Sequence, residues 1–274
     1  LYRLVGSEMC IRDSVCGDRV KWRESTEQER SGVIEAICDR YSLIERPRPY
    51  QPPKPVAANI DVIVLVIAAQ PAPIANLVDR YLVAAENADI DIVIALNKAD
   101  LLTECADKTV TEVEQLLAVY RELGYPLFRF SAFRSEYNDD LNNLRNFLSG
   151  KTAIFVGQSG VGKSSMINCL TTSSEAIVDD VSSANEKGKH TTTTSQMYFS
   201  NHPSADAQCA DAVDGAIIDS PGIREFGLWH LTNDNIIDGF REFGQFVAQC
   251  KYRNCEHGVS DGCELQSAFD AVSY

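Results

Sequence analysis

Residues 157–164 read Gly-Gln-Ser-Gly-Val-Gly-Lys-Ser and match the pattern G-x-x-x-x-G-K-[ST] in full. An apolar run precedes this segment and a helical pattern follows it. Its glycines let successive backbone N–H groups surround phosphate oxygens, and the start of the following helix favours negative charge. The segment therefore predicts a phosphate-binding loop for a nucleoside triphosphate, without identifying the base.

Residues of this phosphate-binding loop have separate predicted roles. Lys163 reaches the β- and γ-phosphates, which makes it a candidate catalytic residue, and Ser164 binds Mg²⁺. A glycine-rich turn that matches by chance is the alternative, but the flanking strand and helix patterns argue against it. The predicted nucleotide contacts along the loop are Gly157, Gln158, Ser159, Gly160, Val161, Gly162, Lys163, Ser164 and Ser165.

The sequence around the loop alternates between strand and helix patterns from Ile60 onward, and it is mostly helical after residue 230. The run at 62–69 is apolar throughout, as in a strand buried on both faces of a parallel sheet. This alternation predicts an α/β fold with a doubly wound sheet and a ligand at the carboxyl ends of its strands. The predicted strands are 62–69, 92–96, 127–130, 153–156 and 216–218, and the predicted helices are 74–87, 109–123, 141–148 and one from about Lys163.

The motif predicted to recognise the base is residues 97–100, which read Asn-Lys-Ala-Asp and fit the pattern N-K-x-D. The Asp100 carboxylate can accept hydrogen bonds from guanine N1–H and from the exocyclic amino group. Adenine has no donor at N1 and no amino group at C2, so it would leave this buried carboxylate unpaired. A penalty of that type can discriminate by several powers of ten. We expect Lys98 to lie along the base and Asn97 to brace the phosphate-binding loop.

A second guanine-contacting element follows the strand at 127–130. Ser131 and Ala132 resemble the element whose backbone amide meets the base oxygen in GTP-binding proteins. The dipeptide alone carries little information. Its position one strand after Asp100 is what supports the prediction.

Residues 219–222 read Asp-Ser-Pro-Gly, follow the strand at 216–218 and fit the pattern D-x-P-G. We predict that Asp219 holds Mg²⁺ through water and that the Gly222 amide contacts the γ-phosphate. Many GTPases place a water-orienting polar residue next, but Ile223 cannot orient water. His230 is therefore our candidate catalytic residue, and the alternative is that it packs or caps structure beside its neighbours.

A threonine-rich stretch lies between these two phosphate motifs. Residues 188–194 read Gly-Lys-His-Thr-Thr-Thr-Thr in a segment with little periodicity. A mobile loop of threonine hydroxyls suits a switch that orders only when Mg²⁺ and γ-phosphate are present. We predict nucleotide contacts from Thr192 and Thr193. The Mg²⁺ contact is predicted from Thr192, with Thr193 as the other candidate, and the alternative is an ordinary polar loop.

The order of these motifs differs from that of ordinary GTPases, which begin with the phosphate-binding loop. Here the guanine motif comes first, and the threonine switch and D-x-P-G come last. A circular permutation keeps the contacts in space when the original termini lie close together. The second switch then leads directly into the C-terminal segment.

The C-terminal segment carries three cysteines and a histidine within fourteen residues. Four-coordinate structural zinc favours this ligand set, and four protein ligands leave no open position for substrate. Disulfide pairing is the alternative, which a reducing cytosol disfavours. We predict one structural zinc ion bound by Cys250, Cys255, His257 and Cys263.

Composition restricts the partners and the compartment. The net charge of −14 repels phosphate on average, which weakens but does not exclude an RNA partner. No apolar run approaches the ~18 residues that a membrane span needs. The first residues also lack the apolar region of a signal peptide. We therefore expect a cytoplasmic protein with no membrane partner.

The N-terminal part differs in pattern from the rest. Residues 15–46 alternate as short strands do and predict part of a small β-module, which is too short to close a barrel alone. Residues 46–55 contain five prolines in ten positions. This composition predicts an extended linker between domains.

Together these motifs resemble the ribosome small-subunit-dependent GTPase A (RsgA) family. The resemblance rests on N-K-A-D, G-Q-S-G-V-G-K-S-S, G-K-H-T-T-T, D-S-P-G-I-R-E-F-G-L-W-H and C-K-Y-R-N-C-E-H…C in that order. It covers roughly residue 15 to the end. Residues 1–14 do not resemble the family, so we expect them to be non-native and the first OB-fold strands to be missing.

The resemblance implies a partial OB-fold at 15–46, a linker at 47–58, a circularly permuted GTPase domain at 59–230 and a truncated zinc-binding domain at 231–274. It implies hydrolysis of GTP to GDP and phosphate, stimulated by the small (30S) ribosomal subunit, in late maturation of that subunit. It also implies binding to 16S ribosomal RNA, and we expect a monomer.

Two other functions remain open at this point. A P-loop ATPase would share the phosphate-binding loop, but the N-K-x-D motif argues against it. A permuted GTPase that acts in assembly of the large ribosomal subunit would share both motifs. The C-terminal cysteine–histidine cluster favours the small-subunit type.

Overall fold

The structure is a computed structural model, and strands alternate with helices along the middle of the chain. From 233 to 272 the regular elements that it describes are helices. This order agrees with the predicted α/β pattern and helical C-terminal segment. The structure describes residues 3–6, 14–24, 31–48, 51–104, 107–132, 134–171, 195–199, 215–220, 228, 231–257 and 261–272.

The N-terminal region forms two small sheets. The first contains β1 (Arg3–Gly6), β2 (Val20–Glu24) and β3 (Ser31–Ile37), with β3 in the middle. Strand β3 runs parallel to β1 and antiparallel to β2. The second sheet pairs β4 (Leu43–Arg48) with β5 (Gln51–Ala58) in an antiparallel ladder. Strands β2, β3 and β4 agree with the β-module predicted at 15–46, whereas β1 lies within residues 1–14, where no strand was predicted.

The proline-rich segment is paired rather than a free linker. Its backbone is extended, as predicted, but it forms strand β5 and part of β4. The ladder shifts register between Ile44 and Glu45 and again between Arg46 and Arg48. Proline cannot donate a ladder hydrogen bond, so a proline-rich pair must be irregular. The linker prediction missed this pairing because composition does not reveal a partner strand.

A six-stranded sheet forms the centre of the molecule. Its strand order is β10-β11-β9-β6-β7-β8, and neighbouring strands are parallel except for β10, which runs antiparallel to β11. The edge strand β10 was not predicted, because it is short and half-exposed. The strands are β6 (Val62–Ala68), β7 (Asp91–Asn97), β8 (Leu127–Arg129), β9 (Thr152–Val156), β10 (Gln196–Phe199) and β11 (Ala216–Asp219).

Helices connect the parallel strands and form the C-terminal segment. One short 3₁₀ turn, Ala99–Glu104, follows β7. A second, Ser135–Tyr137, directly precedes the helix that begins at Asn138. The predicted helices are present, and their observed ends differ from the predictions by up to three residues. The helices are α1 (Ala75–Asn87), α2 (Asp107–Glu122), α3 (Asn138–Leu148), α4 (Lys163–Leu170), α5 (Asn233–Asp238), α6 (Gly244–Val247) and α7 (Glu264–Val272).

Strand β6 divides the core into two layers. All seven of its residues are buried, as its continuous apolar run predicts. Ile63, Leu65 and Ile67 face a cluster that includes residues of α1 and α2. Alternate residues, including Val62 and Val64, face a second cluster with residues of α3 and α4. The helices therefore cover both faces of the sheet, and the loops at its carboxyl edge remain available for a ligand.

The segment that follows the sheet packs against α1. Asn87 Nδ2 donates to the backbone oxygen of Asn235 at 2.8 Å. Arg241 forms an ion pair with Glu86 at 2.8 Å and lies 3.9 Å above the centre of the Tyr125 ring. These contacts attach the C-terminal segment to the sheet domain. Among the described residues, we find no helix with the length and apolar character of a membrane span.

Candidate functional site

The four predicted nucleotide motifs follow neighbouring strands of the central sheet. The phosphate-binding loop follows β9, the N-K-x-D residues begin at the end of β7, Ser131 lies beyond β8, and Asp219 ends β11. These four strands are parallel in a sheet ordered β11-β9-β6-β7-β8. Because the carboxyl ends of parallel strands meet at one edge, the permuted order along the chain becomes one continuous site in space.

Two glycines of the phosphate-binding loop are required by close packing. Gly157 has φ +140, and a Cβ there would overlap the backbone oxygen of Val66 on β6. Gly162 has φ +86, and a Cβ there would overlap Nδ2 of Asn97. The loop therefore lies directly against β6 and the guanine motif. A side chain at either position would push it away from them.

The loop ends at the start of α4, where backbone N–H groups are available to an anion. Gly162 caps this helix without any side-chain hydrogen bond. Lys163 Nζ lies within the loop and donates to the backbone oxygens of Gly157 at 2.8 Å and Gln158 at 2.9 Å. Ser164 and Ser165 are half-buried in the first turn. This combination of a helix N-terminus and an ammonium group suits phosphate.

Asn97 and Lys98 join the guanine motif to the phosphate-binding loop. The buried Asn97 donates from Nδ2 to the backbone oxygen of Val161 at 2.7 Å and more weakly to that of Gly162 at 3.3 Å. Lys98 Nζ donates to the backbone oxygens of Gly160 at 2.7 Å and Gln70 at 2.9 Å. The two motifs are thus held together by side-chain contacts to backbone that span more than sixty residues of sequence.

Asp100 has the property expected of a base-reading carboxylate. Its Oδ1 is buried and has no hydrogen-bond partner among the described residues. The Thr103 hydroxyl donates to the backbone oxygen of Asp100 at 2.8 Å, and the Ala99 amide donates to Phe130 at 3.0 Å. These bonds fix the backbone on both sides of the carboxylate. A buried carboxylate oxygen is costly unless donors reach it, so the site fits a ligand with donors such as guanine.

Ser131 and Ala132 follow β8, the strand that pairs with the guanine-motif strand β7. Ser131 is buried, and Ala132 is exposed. The amide of Phe130 donates to Leu96 at 2.7 Å, which fixes this element beside the end of β7. The neighbouring Tyr137 was not identified from the sequence. Burial raises the pKa of its phenol, and the carboxylates of Glu136 and Asp100 raise that pKa further.

The structure describes only part of the two predicted switches. Asp219 is half-buried at the end of β11, and Ser220 is fully buried beside Ser195. Thr192, Thr193, Gly222 and His230 lie outside the described residues. Sequence analysis also missed Ser195 and the backbone oxygen of Gln70. Neither belongs to a recognisable motif, so no sequence signal identifies them.

The C-terminal cysteines and histidine converge as their spacing predicts. The potential ligand atoms of Cys250, Cys255, His257 and Cys263 all lie within 4.8 Å of one another. Cys250 Sγ lies 3.6 Å and Cys263 Sγ lies 3.9 Å from His257 Nδ1. Tetrahedral zinc with bonds of about 2.0 to 2.3 Å would separate its ligands by roughly these distances. Within the described part of the chain, no disulfide joins any of these three cysteines, so the disulfide alternative is not supported.

The RsgA GTPase family matches residues 37–229 of the chain. The protein named small ribosomal subunit biogenesis GTPase RsgA from Haemophilus influenzae (strain PittGG) is 46% identical over 258 residues, which cover 93% of this chain and 70% of that protein. The protein of the same name from Sodalis glossinidius (strain morsitans) is 42% identical over 265 residues, which cover 95% and 72%.

Solved structures show the same architecture. YjeQ from Thermotoga maritima superimposes with a TM-score of 0.67 at 26% identity, covering 98% of this chain and 83% of that one. YloQ, described as a circularly permuted GTPase, has a TM-score of 0.64 at 23% identity and covers 99% and 80%. The fold is therefore that of a circularly permuted GTPase, as the order of motifs predicts.

Proposed function

This chain belongs to the RsgA GTPase family, and we propose that it hydrolyses GTP to GDP and phosphate during late maturation of the small ribosomal subunit. Membership of this family identifies it as a GTP-hydrolysing enzyme. Two relatives, 42% and 46% identical to the chain, are named small ribosomal subunit biogenesis GTPases. The observation that carries the guanine assignment is the buried, unpaired Oδ1 of Asp100.

The guanine proposal rests on matching donors to this oxygen. Guanine N1–H and the exocyclic amino group are donors of the kind that Asp100 Oδ1 lacks. Adenine offers neither, and it would leave a desolvated carboxylate unpaired. Asn97 and Lys98 already hold the guanine motif against the phosphate-binding loop. Little conformational freedom is therefore lost when the nucleotide binds. GTP and GDP are therefore the proposed ligands, with Ser131 and Ala132 as further contacts to the base.

The proposed phosphate contacts are residues 157–165, with Lys163 toward the β- and γ-phosphates. Its ammonium group and the N-terminus of α4 supply positive charge where phosphoryl transfer builds negative charge. Mg²⁺, when bound, neutralises charge shared by these phosphates. Ser164 and Thr192 are the proposed direct ligands, and Asp219 is the proposed ligand through water. Thr193 and Gly222 are proposed to contact the nucleotide beside them.

Fluorescent nucleotide titrations test the base assignment. We expect binding of mant-GTP to exceed that of mant-ATP by at least about 100-fold. Asp100→Asn should lose this preference and gain affinity for xanthine nucleotides, because its amide can donate to the oxygen at xanthine C2. Asp139→Asn, an exposed carboxylate on α3, is the matched control. Equal binding of GTP and ATP by the unmutated protein would favour the ATPase alternative.

Involvement with the small ribosomal subunit has a direct test. We expect GTP turnover to rise when purified small subunits are added and to stay unchanged with large subunits. Stimulation by large subunits alone would favour the other permuted GTPase class. The relatives' names support the small subunit, and 16S ribosomal RNA is the proposed contact within it. We also propose that the protein is a monomer and is located in the cytoplasm.

The cysteine–histidine cluster is proposed to hold one structural zinc ion. Its three thiols and one imidazole match the preferred zinc ligands, and the four atoms are already close enough to share one ion. Four protein ligands fill a tetrahedral site, which leaves no position for a substrate. The proposed role is therefore to fix the C-terminal segment rather than to take part in hydrolysis.

His230 remains the proposed group that orients the attacking water. The proposal is supported by its position eleven residues after Asp219 and by the apolar Ile223, which cannot fill this role. Single-turnover hydrolysis by His230→Ala, measured with small subunits present, should be slower than that of the unmutated protein. Equal rates would remove His230 from the mechanism and leave the GTPase assignment unchanged.

A further inference from the structure

Ser195 lies where three parts of the chain meet. It directly follows the predicted threonine switch and directly precedes β10. Its hydroxyl lies 3.0 Å from the hydroxyl of Ser220, the second residue of the D-x-P-G segment. Its backbone oxygen accepts a hydrogen bond from the Cys16 thiol at 3.2 Å. One residue thus joins the end of one switch to the start of the other and to the N-terminal region.

The contact between the two hydroxyls is partly buried. Ser220 is only 1% exposed, and Ser195 is half-buried. The ladder between β10 and β11 pairs Gln196 with Asp219, so the two serines continue this register by one residue. A buried hydroxyl that loses its partner cannot recover the bond from solvent. The pair is therefore a specific connection between the two segments.

We propose that Ser195 is a positioning residue for GTP hydrolysis, which acts through Ser220 on the peptide that carries Asp219. This inference rests on the proposed function. The proposed Mg²⁺ contacts Thr192 and Asp219 belong to different segments, which must hold one separation for both to meet the same ion. A hydrogen bond between Ser195 and Ser220 joins the residue that follows the threonine switch to the residue that follows Asp219, at the end of β11. Less freedom is then lost when the site assembles.

The N-terminal turn holds this pair in place. Gly17 has φ +90, and a Cβ there would overlap the Ala58 oxygen and lie 3.4 Å from Cδ1 of Ile218 on β11. The backbone oxygen of Cys16 accepts from the Ala58 amide at 2.9 Å. Burial raises the pKa of the Cys16 thiol, and Asp18 raises it further. The thiol therefore stays protonated and donates to Ser195.

Single-turnover hydrolysis by the full chain tests the proposal. Ser195→Ala should slow hydrolysis about three- to tenfold, the effect of one net hydrogen bond. The Mg²⁺ concentration for half-maximal rate should rise, whereas mant-GDP binding without Mg²⁺ should stay within about twofold. Ser195→Thr keeps the hydroxyl and should restore most of the rate. Tyr198→Phe removes a hydroxyl that donates to Gln196 on the same strand at 2.6 Å, and it is the matched control.

A double-mutant cycle separates positioning from a general structural effect. Ser220→Ala breaks the same contact from the other side, so the double variant should be no slower than the slower single variant. If Ser195→Ala does not fold, Ser220→Ala alone tests the same contact. Fully additive losses, or an unchanged rate in Ser195→Ala, would overturn the role of Ser195 and leave the GTPase assignment standing. An unmutated protein that did not hydrolyse GTP would overturn both.

Discussion

Replacing Asn97 by alanine is expected to weaken both the folded state and nucleotide binding. Asn97 is 2% exposed, and its Nδ2 donates to Val161 at 2.7 Å and to Gly162 at 3.3 Å. Its Oδ1 also accepts from the Lys98 amide at 2.7 Å. Alanine removes all three bonds. The phosphate-binding loop then loses the Asn97 part of its attachment to the guanine motif, whereas Lys98 still donates to Gly160.

The expected magnitude follows from these distances and from burial. Each of the two short bonds contributes about 1 kcal/mol net, so their loss costs about 2 kcal/mol. The Val161 backbone oxygen is deprived of this donor in a buried position, which adds about 1 to 2 kcal/mol. The longer bond to Gly162 adds little. The free energy of unfolding should therefore fall by about 3 to 4 kcal/mol.

Urea-induced unfolding followed by circular dichroism measures this change, and a mant-GDP titration measures the effect on binding. Asn142→Ala is the control, because the exposed Asn142 accepts a hydrogen bond from Arg145 on the same helix. The control should change the free energy of unfolding by less than about 0.5 kcal/mol. A loss for Asn97→Ala no larger than that of the control would refute the argument, as would unchanged mant-GDP affinity.

Four further predictions concern other parts of the molecule. Gly162→Ala forces an alanine to φ +86 against the guanine motif, and should weaken mant-GDP binding by about tenfold or more. Cys255→Ser should release the metal, whereas Cys169→Ser should retain it; elemental analysis of purified protein would reveal either failure. Arg241→Ala should lower the free energy of unfolding by about 1 kcal/mol in thermal unfolding, because it removes a partly exposed ion pair and a ring contact. If stability did not change, other contacts would have to hold the C-terminal segment against the sheet domain. Burial first, and then the hydrogen bond to Asp79, raise the pKa of Tyr120 above its usual 10.0. Its neutral phenol therefore stabilises the fold below that pH, and this stabilisation is lost as the pH rises further. The free energy of unfolding between about pH 9 and 11 should decline less steeply in Tyr120→Phe, and equal slopes would contradict this assignment.

The sheet was predictable where burial dictated composition. Strand β6 lies between two layers of helices, so all seven of its residues must be apolar, and that run is visible in the sequence. Strand β10 lies at the edge, where Phe199 is 53% exposed, and its sequence carries no comparable pattern. The pairing of β4 with β5 was hidden for another reason, because proline content predicts extended backbone without indicating a partner.

The site was predictable where side chains must meet a ligand. The phosphate and guanine motifs contain the residue types that their chemistry requires, and the fold brings their strands to one edge. The residues that hold the motifs in place were harder to find. Lys98 bonds to the backbone oxygen of Gln70, and any residue type supplies such an oxygen. Ser195 bonds to Ser220 across twenty-five residues, and neither spacing nor composition marks the pair.

The contact between Asn97 and the loop at Gly162 also limits how this enzyme can evolve. Asn97 belongs to the guanine motif and also contacts the phosphate-binding loop, so a substitution of Asn97 affects both parts of the site. A substitution of Asn97 that changed the preferred base would also disturb the phosphate-binding loop, and it would therefore weaken the binding of every nucleotide. Changes in base preference are therefore expected at Asp100, the proposed base-reading residue, whose Oδ1 has no hydrogen-bond partner among the described residues.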